Sequence, residues 1–293
     1  MGIILSSETR VLVQGITGRE GTFWTDWMLK AGTNTVAGAT PGKKGEKVHG
    51  VPVYGNVREA VRDKGCEASV VFVPPAFSKD AVFEALDSGI KTIVMLAEHV
   101  PVHDMLEMKT FALEKEAMIL GPNTAGSATV GEAMLGFVPF WLDYVYRPGP
   151  IGVVTRSGSL TNEVSSHIVS AGLGQTSVIG IGGDPVPGTR TADVLKLFEK
   201  DEKTAAVVVV GEAGGTMEEE AADLINQGGF TKPLVVFLAG RTAPPEKKMG
   251  HAGAIVSGGK GGVQGKTEAL EAVGAKMART PAEVGKILAK ISI

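Results

Sequence analysis

Short apolar runs alternate with amphipathic stretches along the whole chain. In the first half the runs are Arg10–Gln14, Thr35–Ala39, Ser69–Pro74, Lys91–Leu96 and Met118–Gly121, rich in Val, Ile and Ala. Runs this continuous predict strands covered on both faces. Between them a helical period predicts helices over about 20–31, 56–64, 77–88 and 103–115. The second half repeats the pattern, with strands at Gly149–Val154, Ser177–Gly180, Ala205–Val210 and Pro233–Leu238 and helices at about 159–171, 189–199, 216–227 and 264–273. Strand–helix alternation of this kind means βαβ units, so the expected fold class is α/β with two doubly wound parallel-sheet domains. The stretch 122–148 lacks a clean period and is bracketed by Gly121, Pro122, Gly126, Pro139, Pro148 and Gly149, which sets domains of 1–125 and 126–293. The longest irregular segment is 239–263, and loops of that length usually carry function or are disordered.

Composition changes the picture in one respect. Glycine supplies 40 of 293 residues, about twice the usual ~7%, with no Gly-X-Y period, so the excess must serve turns and close backbone approaches. Hydrophobic residues at 43% and charged residues at 21% suit a packed globular core. Aromatics at 5%, a net charge of −3 and a pI near 6.0 argue against a stacking platform or basic field for nucleic acid. A single cysteine, Cys66, leaves no internal disulfide and no multi-cysteine metal site. No apolar stretch approaches the ~20 residues a bilayer needs, and Met1–Arg10 has no basic leader. The expectation is a cytoplasmic protein with neither nucleic acid nor membrane as partner.

The glycines gather at strand-to-helix turns. Gly15-Ile16-Thr17-Gly18-Arg19-Glu20-Gly21 follows the first strand and opens a helix, where bare amides and the helix N-terminus favour phosphate. NAD-binding turns place an acid about 20 residues further on. Here the second strand runs instead into Thr40-Pro41-Gly42-Lys43-Lys44, cations that suit a ribose phosphate, as in coenzyme A or NADP. In the second half, Thr155–Ser159, Ile181–Pro185 and Val210–Gly215 converge at the carboxyl edge of one sheet, where open α/β sheets bind ligands.

Among five histidines, none has a His or Cys partner at metal spacing, so no metal site is expected. His251 stands apart in Met249-Gly250-His251-Ala252-Gly253-Ala254, a ring with almost nothing around it. Imidazole is a nucleophile near neutral pH and can hold a covalent group. A phosphoryl group on it could be met by the helix N-terminus at Ser157-Gly158, with Glu212 orienting the ring. A surface loop histidine is the plainer alternative.

These residues carry a likeness. GITGREGTF, ATPGKKG, GPNTAG, TRSGSLTNE, GIGGDPVPGT, GEAGG and TAPPEKKMGHAGA resemble, in this order and over essentially the whole chain, the α subunit of succinyl-CoA synthetase (succinate–CoA ligase) and its relatives. The resemblance implies a Rossmann-type CoA-binding domain followed by a flavodoxin-like domain. It implies an acid–CoA ligase acting through a phosphohistidine and an acyl phosphate. It also implies a β subunit whose ATP-grasp domain binds ATP or GTP with Mg2+, and a small carboxylic acid as substrate. By position, the phosphorylated histidine falls on His251 and the carboxylate beside it on Glu212. The coenzyme A positions fall on Thr17, Gly18, Arg19, Glu20, Lys43, Leu96, Ala97 and Glu98, with Pro74 and Asn123 nearby. Ser157, Gly158 and Asn162 fall on the acid and phosphate side.

The chain departs from that family where the acid would bind. Asn162 stands where succinyl-CoA synthetases usually have Tyr, and Val138-Pro139-Phe140 replaces their MPG tripeptide. At Asn162, at Tyr146-Arg147-Pro148-Gly149 and at Pro187-Gly188 the chain is similar to ATP-citrate lyase. Asn offers both a donor and an acceptor, so citrate or another hydroxy acid, as in a citryl-CoA synthetase small subunit, is the rival to succinate. An NADP-dependent oxidoreductase and a non-catalytic CoA-binding subunit are further alternatives, and neither gives the His251 loop a task.

Overall fold

The computed structural model describes residues 2–241, 250–255 and 261–291, so the irregular segment 239–263 lies in large part outside the described residues. The chain divides into two compact units, Met1–Val138 with Val186–Gly188, and Pro139–Pro185 with Thr189–Ile293.

The first unit contains β1 (Val11–Gln14), α1 (Arg19–Lys30), β2 (Thr35–Ala39), β3 (Lys47–Val48), β4 (Val51–Tyr54), α2 (Val57–Lys64) and β5 (Ala68–Val71). It continues with α3 (Pro75–Asp87), β6 (Thr92–Met95), α4 (Val102–Glu114), β7 (Met118–Leu120) and a hairpin of β8 (Gly126–Thr129) and β9 (Ala133–Gly136). One sheet runs β3-β4-β2-β1-β5-β6-β7, parallel except for the β3–β4 pair. All four residues of β1 are buried, as are those of β5, which is why these strands read as unbroken apolar runs. Helix α2 shows its limits in sequence: Asn56 accepts from the Glu59 N–H at its start, and Gly65, at φ 62°, closes it. One face of the sheet packs Leu12, Val71, Ile93 and Met95 against Val82, Leu86 and Met105 of α3 and α4.

The second unit contains β10 (Pro148–Thr155), α5 (Gly158–Ser170), β11 (Gln175–Gly180), α6 (Thr191–Lys200), β12 (Ala206–Glu212) and α7 (Met217–Asn226). It ends with β13 (Leu234–Ala239), α8 (Val263–Ala272), β14 (Lys276–Ala278) and α9 (Pro281–Leu288). Its strands are ordered β14-β13-β12-β10-β11, every pair parallel. The central strand β12 is buried at all seven positions, Ala206 to Glu212. Close helix packing uses glycine: a Cβ on Gly285 of α9 would lie 2.3 Å from the His167 carbonyl of α5.

The α/β class with two doubly wound parallel sheets is as the alternation predicts. The elements the sequence pattern passes over are β3, β4, the β8–β9 hairpin, β14 and α9. Among the described residues no helix is long and apolar enough to cross a membrane.

Candidate functional site

In the first unit, β1 lies between β2 and β5, so the connections after β1 and β5 leave in opposite directions and open a crevice at the carboxyl ends of the strands. A cavity of about 430 Å³ fills that crevice, walled by Gly15, Thr40, Asn56, Pro74 and Phe77 among others. The glycine spacing explains how chain and ligand share this space. Gly15 has φ 77°, and a Cβ there would meet the Phe72 carbonyl at 2.5 Å. Gly21 lets α1 rest on the turn, since a Cβ there would lie 2.3 Å from the Gly15 carbonyl. Gly18 is the N-cap of α1 and makes no side-chain cap bond, which leaves the first-turn amides to an anion.

Of the residues assigned to coenzyme A by position, Pro74 alone lines the cavity. Thr17, Gly18, Arg19 and Glu20 form the adjoining β1–α1 turn, with Arg19 paired to Glu20 at 3.0 Å. Leu96, Ala97 and Glu98 follow β6 and Asn123 follows β7, on the same sheet edge but outside the cavity walls. The Asn123 N–H donates to the Ala97 carbonyl at 2.8 Å and so ties those two loops together. Lys43 is half exposed and pairs with surface Glu46 at 3.1 Å, an interaction weak enough to yield to a phosphate. Among the residues sequence reasoning passed over is Gln14, whose amide donates to the Ala81 carbonyl at 2.9 Å and accepts from Ser69 at 2.8 Å. It fixes the cavity floor, and one buried polar residue in a strand was the only available sign.

Cys66 is 5% exposed, with its thiol directed at the Ala60 carbonyl 3.7 Å away. Burial pushes that thiol up to about 11, so it is no nucleophile at neutral pH.

In the second unit the His251 loop is seated by missing side chains. A Cβ on Gly183 would fall 2.2 Å from His251 Nδ1, and one on Gly214 would fall 2.2 Å from the Gly253 carbonyl. The Gly253 N–H donates to the Gly183 carbonyl at 3.0 Å. The loops after β11 and β12 therefore grip residues 250–255 from two sides. His251 Nδ1 lies 2.8 Å from Glu212 Oε2, at the end of β12. This hydrogen bond raises the imidazole above its ordinary value near 6.5, against the opposing effects of partial burial and the Arg156 charge, with Asp184 adding to the rise.

A chain of buried charge extends behind Glu212 that no local sequence pattern signals. Arg156 follows β10 and is 3% exposed; its Nη2 sits 3.1 Å from Glu212 Oε1, an ion pair without hydrogen-bond geometry. Its Nη1 donates to the Gly214 carbonyl at 3.0 Å and lies 3.7 Å from Glu218 Oε1. Glu218, in the first turn of α7, also accepts from the Glu212 N–H at 3.3 Å and pairs with Lys266 of α8. Glu218 and Lys266 are both fully buried.

Ser157 is the N-cap of α5 and accepts from the Leu160 N–H at 3.5 Å. Its own N–H is taken by Thr155 Oγ1 at 3.1 Å, so an anion at this helix would meet the Gly158 turn rather than the Ser157 amide. Asn162 is exposed one turn along α5, and its Oδ1 already accepts from the buried Tyr146 hydroxyl at 2.5 Å. Its NH2 end is left to donate to an acid, while one lone pair of Oδ1 is already engaged.

Two family models match, CoA binding domain over residues 6–99 and CoA-ligase over residues 154–276. The chain is 55% identical to a subunit of an ADP-forming sulfoacetate-CoA ligase from an Acholeplasma species, over 100% of this chain and 99% of that one. It is 50% identical to an α subunit of an ADP-forming succinate–CoA ligase from Archaeoglobus fulgidus, over 99% and 100% of the two chains. Among solved structures it is similar to ATP citrate lyase from Methanothrix soehngenii in complex with citrate and coenzyme A. There the TM-score is 0.90 at 25% identity, covering 98% of this chain and 50% of the other.

Proposed function

This chain belongs to the family of ADP-forming acid–CoA ligase α subunits, and from that premise we propose that His251 is its phosphoryl carrier. The observation that carries the reading is the 2.8 Å contact between Nδ1 and Glu212 Oε2. With the Nδ1 proton donated to Glu212, the lone pair is left on Nε2, the nucleophilic atom. Nε2 attacks the terminal phosphorus of a nucleoside triphosphate; an N–P bond forms as the bond to the diphosphate oxygen breaks. Nδ1 keeps its proton, so the phosphorylated ring is cationic and Glu212 offsets that charge. A carboxylate oxygen of the acid then takes the phosphoryl group, returning neutral imidazole and giving an acyl phosphate. The thiolate of coenzyme A attacks the acyl carbon, and phosphate leaves.

Coenzyme A sits on the first unit in this reading. Its phosphates meet the Thr17–Glu20 turn and Lys43, and the rest of it runs along Pro74, Leu96–Glu98 and Asn123. The nucleotide, with Mg2+, belongs on a β subunit with an ATP-grasp domain, in keeping with the lack of a GxxxxGK[ST] loop in this chain. The acid is a short one bearing a second anionic group, met by the α5 N-terminus at Gly158 and by the Asn162 amide. Sulfoacetate and succinate both fit that description, and the relatives' names support them; citrate is the third candidate.

Labelled nucleotide and the partner subunit test the carrier. An acid-labile, base-stable label on this chain, gone in His251→Ala, is expected. No label in the presence of an active partner overturns the assignment. Thioester formation from sulfoacetate, succinate, citrate and acetate tests the acid, and activity with acetate alone would reject a second anionic group.

A further inference from the structure

Glu218 and Lys266 form an ion pair with no exposure at all, between the first turn of α7 and the body of α8. Fully buried lysine and glutamate are rare, and two apolar residues of similar volume would often serve stability as well or better. The pair therefore invites a reading in terms of what it holds in place. Lys266 takes Glu218 Oε2 and lies 3.2 Å from Glu219 Oε2, which leaves Glu218 Oε1 directed the other way. That oxygen accepts from the main-chain N–H of Glu212 and faces Arg156 Nη1. The end of β12 is shaped around it, because a Cβ on Gly211 would lie 2.5 Å from Glu218 Oε1.

We propose that Glu218, secured by Lys266, is a positioning residue for His251. It anchors the backbone of Glu212 and shares Arg156, so that the arginine does not draw the Glu212 carboxylate away from the imidazole. Among the described residues, the charged groups that act on His251 are Glu212 from β12, Arg156 from the loop after β10 and Asp184 from the loop after β11. Glu218 acts on the ring through the first two. Without its negative charge, Arg156 is less compensated, Glu212 turns toward it, and the imidazolium loses support.

The catalytic meaning of this inference rests on the phosphoryl-carrier reading, but its first test does not. In the full-length chain with 13C-labelled histidine, the His251 resonance, assigned by its loss in His251→Asn, is titrated by NMR. Glu218→Gln should move that titration to lower pH, and so should the double variant Glu218→Met/Lys266→Met, whose apolar pair can fill the same space. Lys266→Arg, which keeps the charge, should titrate as the unsubstituted chain does. With the partner subunit, the rate of His251 phosphorylation at high pH, where the ring is neutral in every variant, should fall about tenfold in Glu218→Gln. A wild-type titration in either folded variant overturns the proposal, and so does failure of both to fold, which would make the pair purely structural. Absence of label in the unsubstituted chain alongside a shifted titration would instead count against the carrier reading alone.

Discussion

At position 183 a methyl group would sit 2.2 Å from His251 Nδ1, so the ring's approach to Glu212 depends on a side chain that is missing. For the proposed phosphoryl carrier, that approach sets the pH at which the ring can work. Glu212 favours the imidazolium and raises its pKa, whereas attack through Nε2 needs the neutral ring. The labelling rate should therefore rise with pH through a midpoint above about 6.5. Glu212→Gln should move that midpoint down while lowering the plateau; an unmoved midpoint in the rate–pH profile would show that Glu212 does not set it. Stability follows the opposite sense. The His251–Glu212 interaction contributes fully below the unfolded-state value near 6.5 and fades as pH climbs through the raised folded value, so the Tm difference between wild type and Glu212→Gln should shrink at high pH.

At the scale of elements, α1 shows how a turn and a helix become one device. Its first turn can meet a phosphate only if it rests on the Gly15 turn, and Gly21 permits that contact. Gly21→Ala should lift α1 and lower coenzyme A affinity by about tenfold, read by calorimetry; unchanged affinity would mean that this turn does not hold the cofactor's phosphates. The central strands and main helices were legible because burial on both faces leaves long Val- and Ile-rich runs. The β8–β9 hairpin was not, since GSAT and AMLG are four-residue strands without β-branched apolar runs, and their pairing relies on Gly126 and Gly136, both at φ 103°. Helix α9 did carry a readable start: Thr280 accepts from the Glu283 N–H, Glu283 accepts from the Arg279 N–H, and Pro281 occupies the first turn. Its eight residues were too short for the period alone to reveal. At the candidate site, His251 and Glu212 stood out through their glycine-rich settings. Arg156, Glu218 and Lys266 did not, because their grouping arises from three elements far apart in sequence.

For the whole molecule, the proposed function divides the labour between the two units, with coenzyme A at one sheet edge and phosphate at another. Substitutions should separate accordingly. His251→Ala should leave coenzyme A affinity unchanged by calorimetry, while Lys43→Glu, which sets a repulsive charge against a phosphate, should weaken it and leave nucleotide-dependent labelling intact. Coupled loss of both functions in either variant would show that the tasks are not divided this way. The buried state of Cys66 bears on the same reaction from another side. A protein that repeatedly handles a free thiol is exposed to mixed-disulfide formation each time the cofactor turns up oxidised. With its one sulfhydryl held protonated and out of reach, this chain offers oxidised coenzyme A nothing to couple with. A maleimide probe at pH 7 should accordingly find no target until the fold is opened, and oxidised coenzyme A should leave the folded chain without a mixed disulfide.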